Sequence, residues 1–255
     1  IALALIQAGA NVNAAADADI TPLHWAAQNG HTQIALALIQ AGANVNAEQH
    51  SKTPLFLAAE NGHSETALAL IEKGANVKAA NKLGITPLHW AAKKGSTEMA
   101  VALIQKGANV NAANGDRETP LHWAVYSGNT QIALALIERG ANVNAAARGG
   151  RTPLLWAALE GHTQIVEALI AKGANVNAAN RNGQTPLSLA ISRNKLATAL
   201  AIIHYGKVPY AEIPVIENNP TSEYIQRQYQ LATTQNRTAS YARGLFTGMH
   251  ISPRD

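Results

Sequence analysis

One seven-residue phrase recurs six times in this chain and constrains its fold more than any other feature. The phrase reads Thr-Pro-Leu-His-Trp-Ala-Ala in its first copy, and successive copies are 32, 33, 33, 33 and 33 residues apart. The copies begin at Thr21, Thr53, Thr86, Thr119, Thr152 and Thr185. A fixed period near 33 residues is typical of stacked repeats, each of which buries its apolar face only against its neighbours. The sequence therefore predicts a repeat array rather than a single core.

Each period has the signals for two short helices. Thr21 suits an N-cap, and Pro22 suits the first helical position, where no amide hydrogen is needed. Gly30 and Gly42 suit the left-handed position that ends a helix. A second helix is expected from about Thr32 up to Gly42, and the polar stretch that follows predicts a hairpin-like loop.

Several of these positions resemble the ankyrin repeat family, and the resemblance covers residues 1 to about 206. The matching segments are Thr-Pro-Leu-His at Thr21, Thr86 and Thr119, Asn-Gly-His around Gly30 and Gly62, and Gly-Ala-Asn-Val-Asn at Gly42, Gly107, Gly140 and Gly173. The resemblance implies an all-α solenoid of stacked helix–turn–helix units with projecting hairpin loops.

The period also predicts the domain organisation. Residues 1–15 match the second half of a truncated repeat, so we expect a fragment of a longer protein. Six repeats follow at 16–47, 48–80, 81–113, 114–146, 147–179 and 180–206. Residues 207–255 form a tail with a possible helix near 221–235. The tail is interpreted as a cap on the last repeat or, alternatively, as a docking segment.

Three loops lack the glycine that precedes Thr-Pro in the other copies. Glycine stands there at Gly84, Gly150 and Gly183, and the corresponding residues are Asp19, Ser51 and Arg117. A left-handed arginine costs roughly 1–2 kcal/mol. We therefore expect Gly115 to take the left-handed position in a shifted turn.

The tryptophans invite two interpretations. Trp25, Trp90, Trp123 and Trp156 occupy one position of the phrase, where the other copies have Leu57 and Leu189. They could form an aromatic ligand ladder, but alternation with leucine favours packing. If they are buried, replacing one by alanine should cost roughly 3–5 kcal/mol.

The residue types argue against an enzyme or a metal site. His24, His89 and His122 share one phrase position, and copies one repeat apart lie about 10 Å apart, too far to share a zinc ion. The chain has no cysteine and no hydrolase, phosphate-loop or zinc-protease motif. We expect no enzyme activity, no metal and no cofactor.

Charge and hydropathy bear on the partners. The chain has twenty basic and sixteen acidic residues, and we expect this small excess of positive charge to be spread along the chain. No apolar run approaches the roughly 18 residues that span a bilayer. We expect a monomer in the cytoplasm or elsewhere inside a cell, with a protein partner and no nucleic-acid or membrane partner.

Binding residues should differ from copy to copy, because a recognition surface must be particular whereas framework residues repeat. The most variable positions are the loop tips and the two residues before the turn between the helices, which in ankyrin repeats line the concave face. On this basis the candidate partner-binding residues are Lys82, Leu83, Ile85, Lys93, Lys94, Glu118, Tyr126, Arg148, Arg151, Leu159 and Arg181.

The leading hypothesis for the function is therefore a protein-interaction scaffold. The alternative is a targeting module of a larger enzyme, or of a bacterial effector acting in a host cell, with its catalytic part outside this fragment. A third hypothesis, nucleic-acid binding through the lysines and arginines, is disfavoured because Asp116, Glu118 and Glu160 are expected on the same face.

Overall fold

The computed structural model describes residues 1–16 and 19–234, with side chains through residue 231. It divides into two compact bodies, an N-terminal body at Ile1–Ala141 and a C-terminal body that begins at Asn142. Gln235, the last residue of the expected tail helix, and the rest of the tail lie outside the described residues.

The described residues form fourteen α-helices and no β-strand, which confirms the all-α prediction. The first helix of each repeat begins at the proline of the phrase, with the preceding threonine at the N-cap. The first helices are α2 (Pro22–Gln28), α4 (Pro54–Asn61), α6 (Pro87–Lys94), α8 (Pro120–Tyr126), α10 (Pro153–Glu160) and α12 (Pro186–Ser192). The second helices are α1 (Ala2–Gln7), α3 (Thr32–Gln40), α5 (Ser64–Glu72), α7 (Thr97–Gln105), α9 (Thr130–Glu138), α11 (Thr163–Ala171) and α13 (Leu196–Gly206), and α14 (Pro220–Thr234) follows.

Helices of neighbouring repeats pack side by side within each body. In the N-terminal body α2, α4, α6 and α8 contact one another in turn, as do α1, α3, α5, α7 and α9. In the C-terminal body α10 packs on α12 and α11 on α13. The phrase leucine is the centre of this packing, since Leu23, Leu55, Leu88 and Leu121 are fully buried. Packing of these faces stabilises helices that are too short to form alone.

The loop tips are narrow hairpin turns. The Asn114 N–H donates to the Glu118 carbonyl at 2.9 Å, and the Asn114 Oδ1 atom accepts from the Glu118 N–H at 2.8 Å. Arg117 has a φ of 62°, so the expectation that Gly115 would take the left-handed position is wrong. The Gly115 N–H is already bound to the Leu83 carbonyl of the adjacent tip at 2.8 Å. These bonds fix the backbone of the turn. Arg117 therefore adopts the left-handed conformation despite its cost in free energy.

One loop is a residue shorter than the others and forms a tighter turn. Gln49 and Lys52 exchange two backbone hydrogen bonds of 2.8 Å around His50 and Ser51, which both have positive φ. Two consecutive left-handed residues are typical of a two-residue hairpin. Because only the tip changes, α2 still packs on α4 on either side of it.

The described part of the tail packs on the last repeat. The Asn219 side chain caps α14 by accepting from the Ser222 N–H at 2.9 Å, and its amide donates to the Ile191 carbonyl of α12 at 2.8 Å. Ile225 is buried, and the Tyr210 ring stacks on Tyr229. These contacts join the described part of the tail to α12, and its role as a cap stays a prediction. Within the described ranges, no helix combines the length and the apolar composition that a membrane span requires.

Candidate partner-binding surfaces

The tryptophans of the phrase are less buried than the packing interpretation predicts, although the leucines at the same position, Leu57 and Leu189, are buried. Trp25 is 54% exposed, and Trp90, Trp123 and Trp156 are only half-buried. Because leucine is buried at this position, the position itself borders the core, and the larger indole extends beyond it. Each tryptophan therefore has an accessible part that a partner can reach, whereas the Trp90 indole nitrogen is buried without a hydrogen-bond partner.

Two of these tryptophans form a cluster with a lysine in the N-terminal body. The Trp90 and Trp123 rings meet edge to face, with their centroids 5.2 Å apart. The Lys93 ammonium lies 5.3 Å from the Trp90 centroid and 5.4 Å from that of Trp123, within the range of a cation–π interaction. The Trp123 indole N–H donates to the Glu118 carboxylate at 2.8 Å. We call Trp90, Lys93 and Trp123 the indole–lysine cluster.

Two large apolar side chains are exposed, one on α8 and one on the loop tip that precedes α6. Tyr126, one helical turn after Trp123 and equivalent to Lys93 of the preceding repeat, is 58% exposed. Leu83 is 63% exposed at a loop tip, and its carbonyl is bonded to the next tip. Together with the cluster, Leu83 and Tyr126 form what we call the N-terminal surface. Ile85, one of the candidate binding residues, is half-buried.

The buried histidines accept hydrogen bonds from backbone N–H groups at the N-terminal ends of the first helices. The His89 Nδ1 atom accepts from the Thr86 N–H at 3.1 Å, and Nε2 lies 3.1 Å from the Glu118 carbonyl. Burial lowers the pKa of His89 to about 4, against the smaller raising effect of its bond to Glu118. His24 repeats the arrangement, and burial lowers its pKa as well. In the portion of the chain covered by the structure, no group of His, Cys, Asp or Glu side chains is arranged to hold a metal ion.

The C-terminal body contains a cleft of about 370 Å³ between α10, α12 and the adjoining loop tips. Its apolar lining comes from Leu155, Trp156, Leu159 and Leu189, and its charged lining from Arg151, Arg181 and Arg193. The Arg151 guanidinium carbon is 5.1 Å from the centroid of the Trp156 ring. We call this the C-terminal cleft.

Comparison with protein families agrees with the geometry. A family model described as ankyrin repeats, in three copies, matches residues 1–81, 75–147 and 146–212. The chain belongs to the ankyrin repeat family. Ankyrin repeats generally mediate protein–protein interactions and are generally non-catalytic. A search of curated proteins found no match.

The candidate residues of this ankyrin chain fall in both bodies. Seven of them, Lys82, Leu83, Ile85, Lys93, Lys94, Glu118 and Tyr126, lie in the N-terminal body. Arg151, Leu159 and Arg181 line the C-terminal cleft, and Arg148 is exposed outside it. Lys93 and Glu118 do more than carry surface charge. Lys93 lies over the Trp90 ring, and Glu118 accepts a hydrogen bond from the Trp123 indole.

Sequence reasoning missed six residues of these surfaces. Trp90, Trp123 and Trp156 were interpreted as packing residues, and Leu155, Leu189 and Arg193 were not among the candidate binding residues. A usable signal was present for the tryptophans. Each stands three residues before a variable position, and residues three apart on a helix are neighbours on its surface.

Charge in the ankyrin chain is distributed unevenly, which corrects the expectation of an even spread. Residues 1–141 contain nine basic and ten acidic side chains, whereas residues 142–255 contain eleven and six. No Asp or Glu of the described chain lines the C-terminal cleft. Glu160 instead acts on His162, whose pKa is lowered mainly by burial, raised by Glu160 and lowered further by Lys195.

Proposed function

We propose that this ankyrin chain is a scaffold that holds a protein partner on its loop tips and first helices, with the N-terminal surface as the main contact. The observation that carries the proposal is the exposure of Tyr126, one helical turn after Trp123 of the indole–lysine cluster, and of Leu83 on the loop tip that precedes α6. Tryptophan and tyrosine are the side chains most enriched where binding energy concentrates. An intracellular location and a monomeric state are parts of the same proposal.

Preorganisation supports this role. The Trp90 and Trp123 rings are held edge to face, and the Glu118 carboxylate fixes the Trp123 indole. Lys93 already lies over both rings, so its long side chain has less freedom to lose when a partner docks. Binding costs less when the contact groups are ordered beforehand.

The test is affinity capture from a cell lysate with the double variant Leu83→Ala and Tyr126→Ala. We expect the proteins captured by the wild-type chain to be reduced at least about tenfold, because truncating an interface anchor commonly costs 2 kcal/mol or more. The thermal melt should stay unchanged, since both side chains are largely exposed.

Matched controls are available in the same chain. Val101→Ala removes an exposed apolar side chain from the second helix α7, and Tyr205→Ala removes an exposed tyrosine from α13. Both should leave capture intact. Equal capture by the double variant and by these controls would contradict the proposal.

The alternative of a targeting module, whether in a larger enzyme or in a bacterial effector that enters a host cell, uses the same surfaces. It differs only in requiring a catalytic part outside this chain. Sequencing the complete reading frame tests it, because a catalytic domain in that frame would favour the alternative.

A further inference from the structure

We infer that the C-terminal cleft binds an acidic peptide segment of the protein partner, one that carries an aliphatic side chain between carboxylates. This inference rests on the proposed function and gives it a second contact with a stated chemistry. The cleft has an apolar lining and three arginines, so it suits a ligand that is negative at its edges and apolar at its centre.

The arginines determine the charge of the ligand. Arg151, Arg181 and Arg193 all line the cleft, and none of the described residues that line it is an Asp or a Glu. Guanidinium groups bind carboxylates through paired N–H donors in a fixed geometry, which lysines do not offer. The surplus of basic residues in 142–255 adds a longer-range attraction for an acidic segment.

The loop tip that carries Arg181 is held in place before any ligand binds. The Arg181 N–H donates to the Gly149 carbonyl of the adjacent tip at 2.9 Å. The Asn180 Oδ1 atom accepts from the Asn182 and Gln184 N–H groups at 2.9 and 3.0 Å. Because the backbone of both loop tips is fixed, little conformational entropy of the backbone is lost when Arg181 binds a ligand.

The apolar lining favours a peptide over a nucleic acid. Leu155, Leu159 and Leu189 offer an aliphatic contact, which suits a leucine or isoleucine side chain. The Trp156 ring already carries the Arg151 guanidinium, so it does not offer the open aromatic face on which unpaired bases stack. Phosphates could still approach the arginines, and the experiment therefore includes a nucleic-acid probe.

The experiment measures binding to the full chain by fluorescence anisotropy. The probe is a short labelled peptide in which aspartates flank two leucines, and its control has asparagine in place of each aspartate. We expect the aspartate peptide to bind at least about tenfold more tightly than the asparagine peptide, with an affinity that falls as salt is raised.

Charge reversal locates the site. Arg181→Glu and Arg193→Glu should each weaken binding of the aspartate peptide at least about tenfold, because like charges then face each other. Lys172→Glu makes the same charge change at an exposed residue outside the cleft and should alter affinity less than about twofold. Leu159→Ala should weaken both peptides alike, because it removes the apolar contact without changing the charge.

Three outcomes would overturn the inference: equal binding of the two peptides, equal binding by the two arginine variants and Lys172→Glu, or tighter binding of a single-stranded oligouridylate than of the aspartate peptide. If the peptide fails while Leu83→Ala with Tyr126→Ala still abolishes capture, the cleft inference fails and the proposed function stands. If that double variant captures normally while the peptide binds as expected, the N-terminal contact fails instead.

Discussion

At the scale of single residues, a buried histidine ties the stability of the array to pH. A backbone N–H can only donate, so the Thr86 N–H requires an unprotonated Nδ1 on His89 and places the ring proton on Nε2, toward the Glu118 carbonyl. Protonating Nδ1 would break the contact in a site without solvent access. This agrees with a His89 pKa of about 4 in the folded chain.

The expected consequence is a loss of stability on acidification. Between pH 6.5 and about 4 the unfolded chain binds a proton that folded His89 does not, so the free energy of unfolding falls as the pH falls. One such group contributes up to about 3 kcal/mol across this window. Urea unfolding followed by circular dichroism between pH 7.5 and 5 measures the slope.

The last repeat of the array supplies the control for this prediction. Ser188 occupies the histidine position there, and its Oγ atom accepts from the Thr185 N–H at 2.9 Å. His89→Ser should therefore lower stability at every pH but reduce the pH slope, whereas the exposed His31→Ser should leave the slope unchanged. An undiminished slope in His89→Ser would assign the pH dependence to other groups.

At the scale of structural elements, asparagine side chains link the loops of successive repeats. The Asn13 amide donates to the Gly42 carbonyl at 2.9 Å, and its Oδ1 atom accepts from the Asn44 N–H at 2.8 Å. Asn144 makes the same pair of bonds, to the Gly173 carbonyl and the Asn175 N–H. Each of these side chains joins two loops about one repeat apart.

Lys78 interrupts this series. It occupies the asparagine position of its repeat, and its partners by register would be the Gly107 carbonyl and the Asn109 N–H. Lys78→Asn should raise the free energy of unfolding by about 1–2 kcal/mol, because a hydrogen bond contributes about 0.5–1.5 kcal/mol. The midpoint of urea unfolding measures the gain.

The matched change for this prediction is Lys73→Asn, which replaces an exposed lysine at the end of α5. It removes the same positive charge as Lys78→Asn, but residue 73 does not occupy the asparagine position that bonds to the next repeat. The midpoint of urea unfolding should therefore stay nearly unchanged. A gain of the same size in both variants would mean that charge, and not the inter-repeat bonds, is responsible.

At the scale of the whole molecule, contacts are made mainly between neighbours along the chain. The fully buried Leu55 lies in α4, which packs on α2, α5 and α6. Leu55→Ala should leave a cavity that costs about 2–5 kcal/mol. Hydrogen exchange followed by mass spectrometry should then rise most in α2 to α6 and less toward α9.

The corresponding change in the C-terminal body is Leu169→Ala, at a buried leucine of α11. It should raise exchange most in α10 to α13, because α11 packs on α10 and α13. An equal rise along the entire chain in either variant would contradict local coupling, since repeat arrays gain stability from nearest-neighbour interfaces.

The sequence by itself determined the period and the helix ends, because these depend on chemistry within a few residues. A threonine before a proline sets where a helix begins, and a glycine after an apolar turn sets where it ends, because both act on backbone groups within one turn. These signals repeat, so each copy reinforces the interpretation of the others.

The tertiary structure decided the features that depend on the neighbouring repeat. Arg117 is left-handed where Gly115 is bonded to the preceding loop tip. Lys93 belongs to the N-terminal surface because folding brings it over Trp123 of the following repeat. Arg193 faces the same cleft as Arg151, some forty residues earlier, only after two repeats have stacked. A contact between residues about one repeat apart cannot be predicted from the few residues around either of them. Only the folded chain shows it.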